Sequence, residues 1–156
     1  MELIKNIISN TYGCPEGEVW FELYSKYINF AVEDAADINY VKLCAQYLNS
    51  QPEPVIKGLC EASIRYCNNF LEAIGEPTKE FGDYHDVLKY IFPSVLLIPD
   101  PENGSEPIMH MELNCEWEEE HGMEWIVRDG NVLYVGAFNG VYPWADLSEK
   151  ESWNYA

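Results

Sequence analysis

The apolar residues of this chain repeat every second position, then every third or fourth, then every second again. Residues 18 to 32, "EVWFELYSKYINFAV", are aromatic and β-branched and are broken by Ser25 and Lys26, which predicts two strands joined by a tight turn. From Asp34 or Asp37, either able to cap a helix, Ile38, Val41, Ala45 and Leu48 fall on one helical face. "NSQPEP" interrupts that helix with two prolines. Ile56, Leu59, Cys60, Ile64, Cys67, Leu71 and Ile74 then recur at helical spacing until Gly75 and Pro77. The short break predicts an antiparallel αα-hairpin. A shorter third helix is expected from Asp83 to about Ile91, since Pro93 disfavours helix at Phe92.

Period two returns at "SVLLIP", residues 94–99, after which "DPENGSEP" reads as a loop. Met109, Met111, Leu113, Cys115 and Trp117 then alternate with His110, Glu112, Asn114 and Glu116. One set packs, and the other faces solvent or a ligand. "MEWIVRDGNVLYVGAF" reads as a hairpin with a type I′ turn at Asp129 and Gly130. That register sets Val127 opposite Val132 and Trp125 opposite Tyr134, and leaves an exposed edge near 131–138. "LIKNII" near the start is one more candidate strand, and the tail "DLSEKESWNYA" has no clear period. Strands, then helices, then strands imply α+β: an antiparallel sheet with the helical hairpin, plus the short third helix, inserted between N-terminal and C-terminal strands and packed on one sheet face. The length of 156 residues suits one domain spanning 1–156.

Twenty-seven acids against nine bases give a formal net charge of -18. Such a surface repels phosphate backbones and anionic lipid headgroups, so neither nucleic acid nor membrane is an expected partner, whereas a basic protein would be steered in. The same charge also serves plain solubility. No run approaches the roughly 20 apolar residues that span a bilayer, and "MELIKNIISNTYG" lacks a signal-peptide core. With five scattered cysteines and no C-x-x-C pair, buried free thiols in the reducing cytoplasm are expected.

The densest chemistry lies in "MELNCEWEEEHGMEW", residues 111–125. Alternation places Cys115 and Trp117 with the core residues, which disfavours a cysteine nucleophile. His85, His110 and His121 each stand beside carboxylates, the ligand chemistry of divalent ions. His121, Glu120 and His110 are therefore candidate metal ligands, although no H-E-x-x-H, EF-hand or zinc-deaminase spacing supports them. Phosphate-binding glycine motifs are also absent, and no cofactor is expected. Between Asp100 and Asp129 ten acids are opposed only by Arg128. Glu112, Glu116, Glu118, Glu119, Glu120, His121 and Glu124 thus form a candidate surface for a basic partner.

"CEWEEEHG", Cys115 to Gly122, resembles the core C-x-W-x-x-E-H-G of a group of short, uncharacterised bacterial domains. Cys115, Trp117, Glu120, His121 and Gly122 fit it, and Val132, Val135 and Gly136 fit a following V-x-x-V-G segment. Aromatic strands followed by a helix pair extend the likeness over most of the chain. Relatives often carry a second histidine where this chain has Arg128 and Asp129, which weakens a two-histidine metal site. The resemblance implies no established activity, and some relatives look like small acidic immunity or partner proteins of toxin systems. Three readings stand at this point: a non-enzymatic binding domain, a metal-dependent enzyme or sensor, and an accessory domain whose acids serve solubility.

Overall fold

A computed structural model describes residues 1–156. Seven strands form one sheet in sequence order: β1 (Ile4–Ser9), β2 (Pro15–Phe21), β3 (Lys26–Val32), β4 (Ile91–Ile98), β5 (Met109–Cys115), β6 (Glu118–Arg128) and β7 (Asn131–Ala137). Helices α1 (Ile38–Leu48) and α2 (Glu53–Ala73) and a 3-10 helix (Tyr84–Tyr90) lie between β3 and β4 in the chain. The expected antiparallel sheet is in fact mixed. β3 and β4 run parallel, with Asn29 against Val95 and Val32 against Ile98, while every other neighbouring pair is antiparallel. Parallel neighbours need a long crossover, and the helical segment supplies it.

Local chemistry sets the element ends. Asp37, in extended conformation, accepts a hydrogen bond from the Tyr40 amide and starts α1. Asp83 and Asp86 form a capping box, but the segment behind it winds as a seven-residue 3-10 helix and passes at Ile91 directly into β4. Pro93 sits where the β4–β5 register slips, at a position where a missing N–H is tolerated. The β2–β3 connection is a 3-10 turn, Glu22–Tyr24, closed by Ser25 in the left-handed region, so Lys26 already belongs to β3.

The inner face of the sheet carries Met109, Met111 and Leu113 of β5 opposite Val127, Trp125 and Met123 of β6, all fully buried. α1 packs against β2 and β5, and α2 against β7 and the 3-10 helix. The Trp125 indole N–H donates to the Ser63 hydroxyl of α2 at 3.1 Å, and the Asn49 amide donates to the Trp20 carbonyl at 2.7 Å. One cluster of 35 buried apolar residues joins the layers.

Asp129 and Gly130 both have positive φ, as a type I′ turn requires, and Val127 opposes Val132 as expected. The register then slips, so Trp125 faces Val135 and Tyr134 faces Ile126. This bulge corrects the expected Trp125–Tyr134 pairing.

Residues 138–156, which follow β7 and include the aperiodic tail, form a strap. Its first part is tied to β6, where the Arg128 guanidinium donates to the carbonyls of Pro143 and Ala145 at 2.5 and 3.3 Å. Its last residues run along β7, with the Tyr155 amide donating to the Val135 carbonyl at 2.8 Å and the Asn154 side chain donating to the Leu133 carbonyl at 2.8 Å. The edge expected to be open is therefore covered.

Candidate functional site

Glu116 and Trp117 make the turn between β5 and β6. Cys115 and Trp117 are buried beneath it, and Trp117 meets Tyr66 of α2 edge to face, centroids 5.7 Å apart. Burial pushes the Cys115 thiol up to about 12, which favours the protonated thiol near neutral pH. After the turn β6 takes five steps, Glu118 to Met123, where β5 takes two, Leu113 to Cys115. The surplus forms a bulge.

Two residues fix that bulge. Glu118 accepts from the amides of Glu120 and His121 at 3.0 and 3.3 Å through one oxygen, and from His121 Nδ1 at 2.7 Å through the other. Burial by itself would raise the Glu118 carboxyl, yet the His121 side chain and these amides hold it below the usual range. Gly122 has φ +71°, and a Cβ there would stand 2.6 Å from the Leu113 carbonyl oxygen, so only glycine fits. Glu119, Glu120 and His121 are left exposed. The carboxylate that holds His121 is Glu118, and Glu120, its fellow candidate metal ligand, stays exposed beside it.

Glu116, Glu118, Glu119, Glu120 and His121 thus gather at one hairpin end. Glu116 is exposed, 3.4 Å from the Lys79 ammonium. Glu112 lies half-buried on the outer face, in register with Val95 and Glu124. Glu124 itself is fully buried, which removes it from any partner surface. The three candidate metal ligands do not meet: His110 pairs with Glu124 and His121 with Glu118. No group of three or more His, Cys, Asp or Glu side chains converges on a metal position.

The pairing of His110 with Glu124 is the feature that sequence reasoning missed. Alternation sends both to the outer face, and there Nε2 of His110 lies 2.5 Å from Oε2 of Glu124, both residues buried. Glu124 also accepts from the amides of Asn139 and Val141 at 3.0 and 3.1 Å, so the pair anchors the strap. Nδ1 of His110 is buried without a partner. The signal that could have found the pair is the β5–β6 register, which the bulge after Glu118 hides. The third histidine, His85, bridges Glu53 at 2.6 Å and Asp83 at 3.1 Å, tying the 3-10 helix to the start of α2.

No helix is long and apolar enough to cross a membrane. Neither the curated proteins nor the solved structures contain a match to the chain. The model of a family described as a domain of unknown function, DUF6985, matches residues 5–143, from the first strand into the strap, and the chain belongs to that family.

Proposed function

We propose that this chain is a non-enzymatic, acidic protein-binding domain, an immunity-type partner that neutralises a basic protein such as a bacterial toxin. The observation that carries the reading is the mounting of charge at the β5–β6 hairpin end. Glu119 and Glu120 stand exposed on a bulge whose shape Glu118 and Gly122 dictate, and neither makes an ion pair. Carboxylates held ready on a stiff support attract lysine and arginine at long range and lose little freedom on contact. The net charge of -18 adds the steering field. In this reading the helices form an antiparallel hairpin over the inner face, leaving the hairpin end and part of the outer face to the partner. The five free cysteines, four of them buried, suit a reducing compartment such as the cytoplasm.

The test is recovery of a partner from a lysate of the source organism on the tagged protein, with elution by rising salt. Wild type should hold one basic protein released at moderate salt, and Glu119→Lys/Glu120→Lys should lose it. Glu118 is left intact because it shapes the bulge. Recovery that ignores the reversal rejects this surface, and recovery of nothing salt-sensitive rejects the reading.

A further inference from the structure

The strap closes over the His110 and Glu124 end of the outer face and reaches the loop after β4, where the Trp144 indole N–H donates to the Asp100 carbonyl at 2.9 Å. Two rows of residues cross that face: Glu16, Ala31, Leu97 and His110 in one, Glu18, Asn29, Val95, Glu112 and Glu124 in the other. At the His110 and Glu124 end the rows run under the strap. At the Glu16 and Glu18 end they are open, and a groove of about 420 Å³ lies there, lined by Ile8, Glu16, Glu18, Asn29, Ala31 and Val95.

The groove follows from how β1 is laid down. The β1–β2 register slips between Lys5 and Ile8, Asn6 sits at φ +54°, and the β1 backbone presses so closely on Gly17 that a Cβ there would stand 2.9 Å from the Lys5 carbonyl oxygen. Ile8, on this edge strand opposite Glu16, stands as an apolar wall at the sheet edge, 60% exposed.

We propose that this groove receives an arginine-bearing segment of the basic partner, a second contact remote in sequence from the hairpin end; the inference rests on the binding reading above. Glu16 and Glu18 sit two residues apart on one strand, so both carboxylates project to the same face. Neither makes an ion pair. Glu18 accepts only from the Asn6 amide, at 2.6 Å. Lys5, the cross-strand neighbour of Glu18, turns its ammonium onto the Tyr27 ring, 3.7 Å from the centroid, and leaves the carboxylates uncompensated.

Acid beside exposed apolar wall selects an amphipathic cation. The methylene stem of an arginine packs on Ile8, Ala31 and Val95 while its planar fork spans the two carboxylates. A second copy of this chain is the wrong occupant, because each copy brings a charge of -18 and the same acids.

The experiment titrates the full-length, 15N-labelled chain with the acetylated, amidated peptide Arg-Val-Arg-Val-Arg and follows amide shifts. Saturable shifts should centre on Ile8, Gly17, Asn29, Ala31 and Val95. Glu16→Gln/Glu18→Gln should weaken binding at least about tenfold, the loss of a charge-assisted contact. The Glu18→Gln change keeps an acceptor for the Asn6 amide, and a dispersed spectrum of the variant verifies its fold. Ile8→Ala should weaken binding by a smaller factor.

Shifts centred on residues 116–121, spread evenly over the acidic surface, or absent at low salt overturn the groove. So does an affinity unchanged in Glu16→Gln/Glu18→Gln. The binding reading fails separately, in the lysate recovery: a basic protein still held by the groove variant and lost from the Glu119/Glu120 reversal leaves that reading standing while the groove falls.

Discussion

Two histidine–glutamate pairs sit in the same hairpin, and they do opposite things. His121 and Glu118 meet at 2.7 Å with the imidazole 68% exposed, whereas His110 and Glu124 meet at 2.5 Å with exposures of 2% and 0%. Water competes with the first pair and screens it, so its energy is small and its effect is to shape a bulge. The second has no water to fall back on, and every bond of Glu124, to His110, Asn139 and Val141, replaces hydration lost on folding. Residue chemistry is the same in both; burial decides what it does. The dense "EEEHG" draws the eye in the sequence, yet the pair that anchors the strap is split across fourteen residues.

The widest separation between the pairs comes from deleting the buried carboxylate. Glu124→Ala leaves His110 and two strap amides without their partner, and unfolding in urea should show a loss of about 3–5 kcal/mol. Hydrogen exchange at the Asn139 and Val141 amides should accelerate before global unfolding, since the strap loses its anchor. A loss below about 1 kcal/mol would place the buried pair with the exposed one and end the distinction.

Gly122→Ala probes the backbone on which the exposed pair is built. Both the left-handed φ and the approach to the Leu113 carbonyl oppose a Cβ, and the expected cost is about 2 kcal/mol. The same variant should disturb the amide signals of Glu119, Glu120 and His121 while leaving those of Asn139 and Val141 in place. Spectra that change at the strap instead would mean that the two regions are one mechanical unit.

Legibility in the sequence tracked the range of the interaction. The Asp37 cap, the Asp129–Gly130 turn and the burial of Cys115 and Trp117 depend on neighbours a few residues away, and period and turn chemistry suffice to place them. The parallel β3–β4 pairing depends on contacts such as Asn29 with Val95, far apart in sequence and invisible to local pattern. The third helix carried correct start and stop signals, but at seven residues it is short enough for 3-10 winding to serve. His110 was expected at a wet face. It is buried where the strap is anchored, and the strap attaches largely through backbone groups, such as the carbonyls of Pro143 and Ala145 and the amides of Asn139 and Val141, which leave no signature in side-chain pattern. Of the candidate site, the gathering of acids at the hairpin end was readable; the choice of Glu118 as the partner of His121, three residues away, follows from the bulge conformation, and the removal of Glu124 required the register.

The exposed pair itself should yield the smallest effect, and its pH dependence has a definite sign. His121 and the amides of Glu120 and His121 hold the folded-state Glu118 carboxyl below its usual range against the upward pull of burial. Folding therefore favours the ionised form, and the stabilisation is complete above the unfolded value of about 4.3 and is lost as pH falls through the lower folded value. Glu118→Gln keeps an oxygen for the two amides and removes the charge. At neutral pH it should cost less than about 1 kcal/mol, the gap from wild type closing as the pH drops below about 4. Urea midpoints measured from pH 7 down to 3 read this directly. A gap that persists at the acid end would show that the bulge is held by the shape of the acceptor and not by its charge, and Glu118 would then belong with Gly122 as a geometric device in place of an electrostatic one.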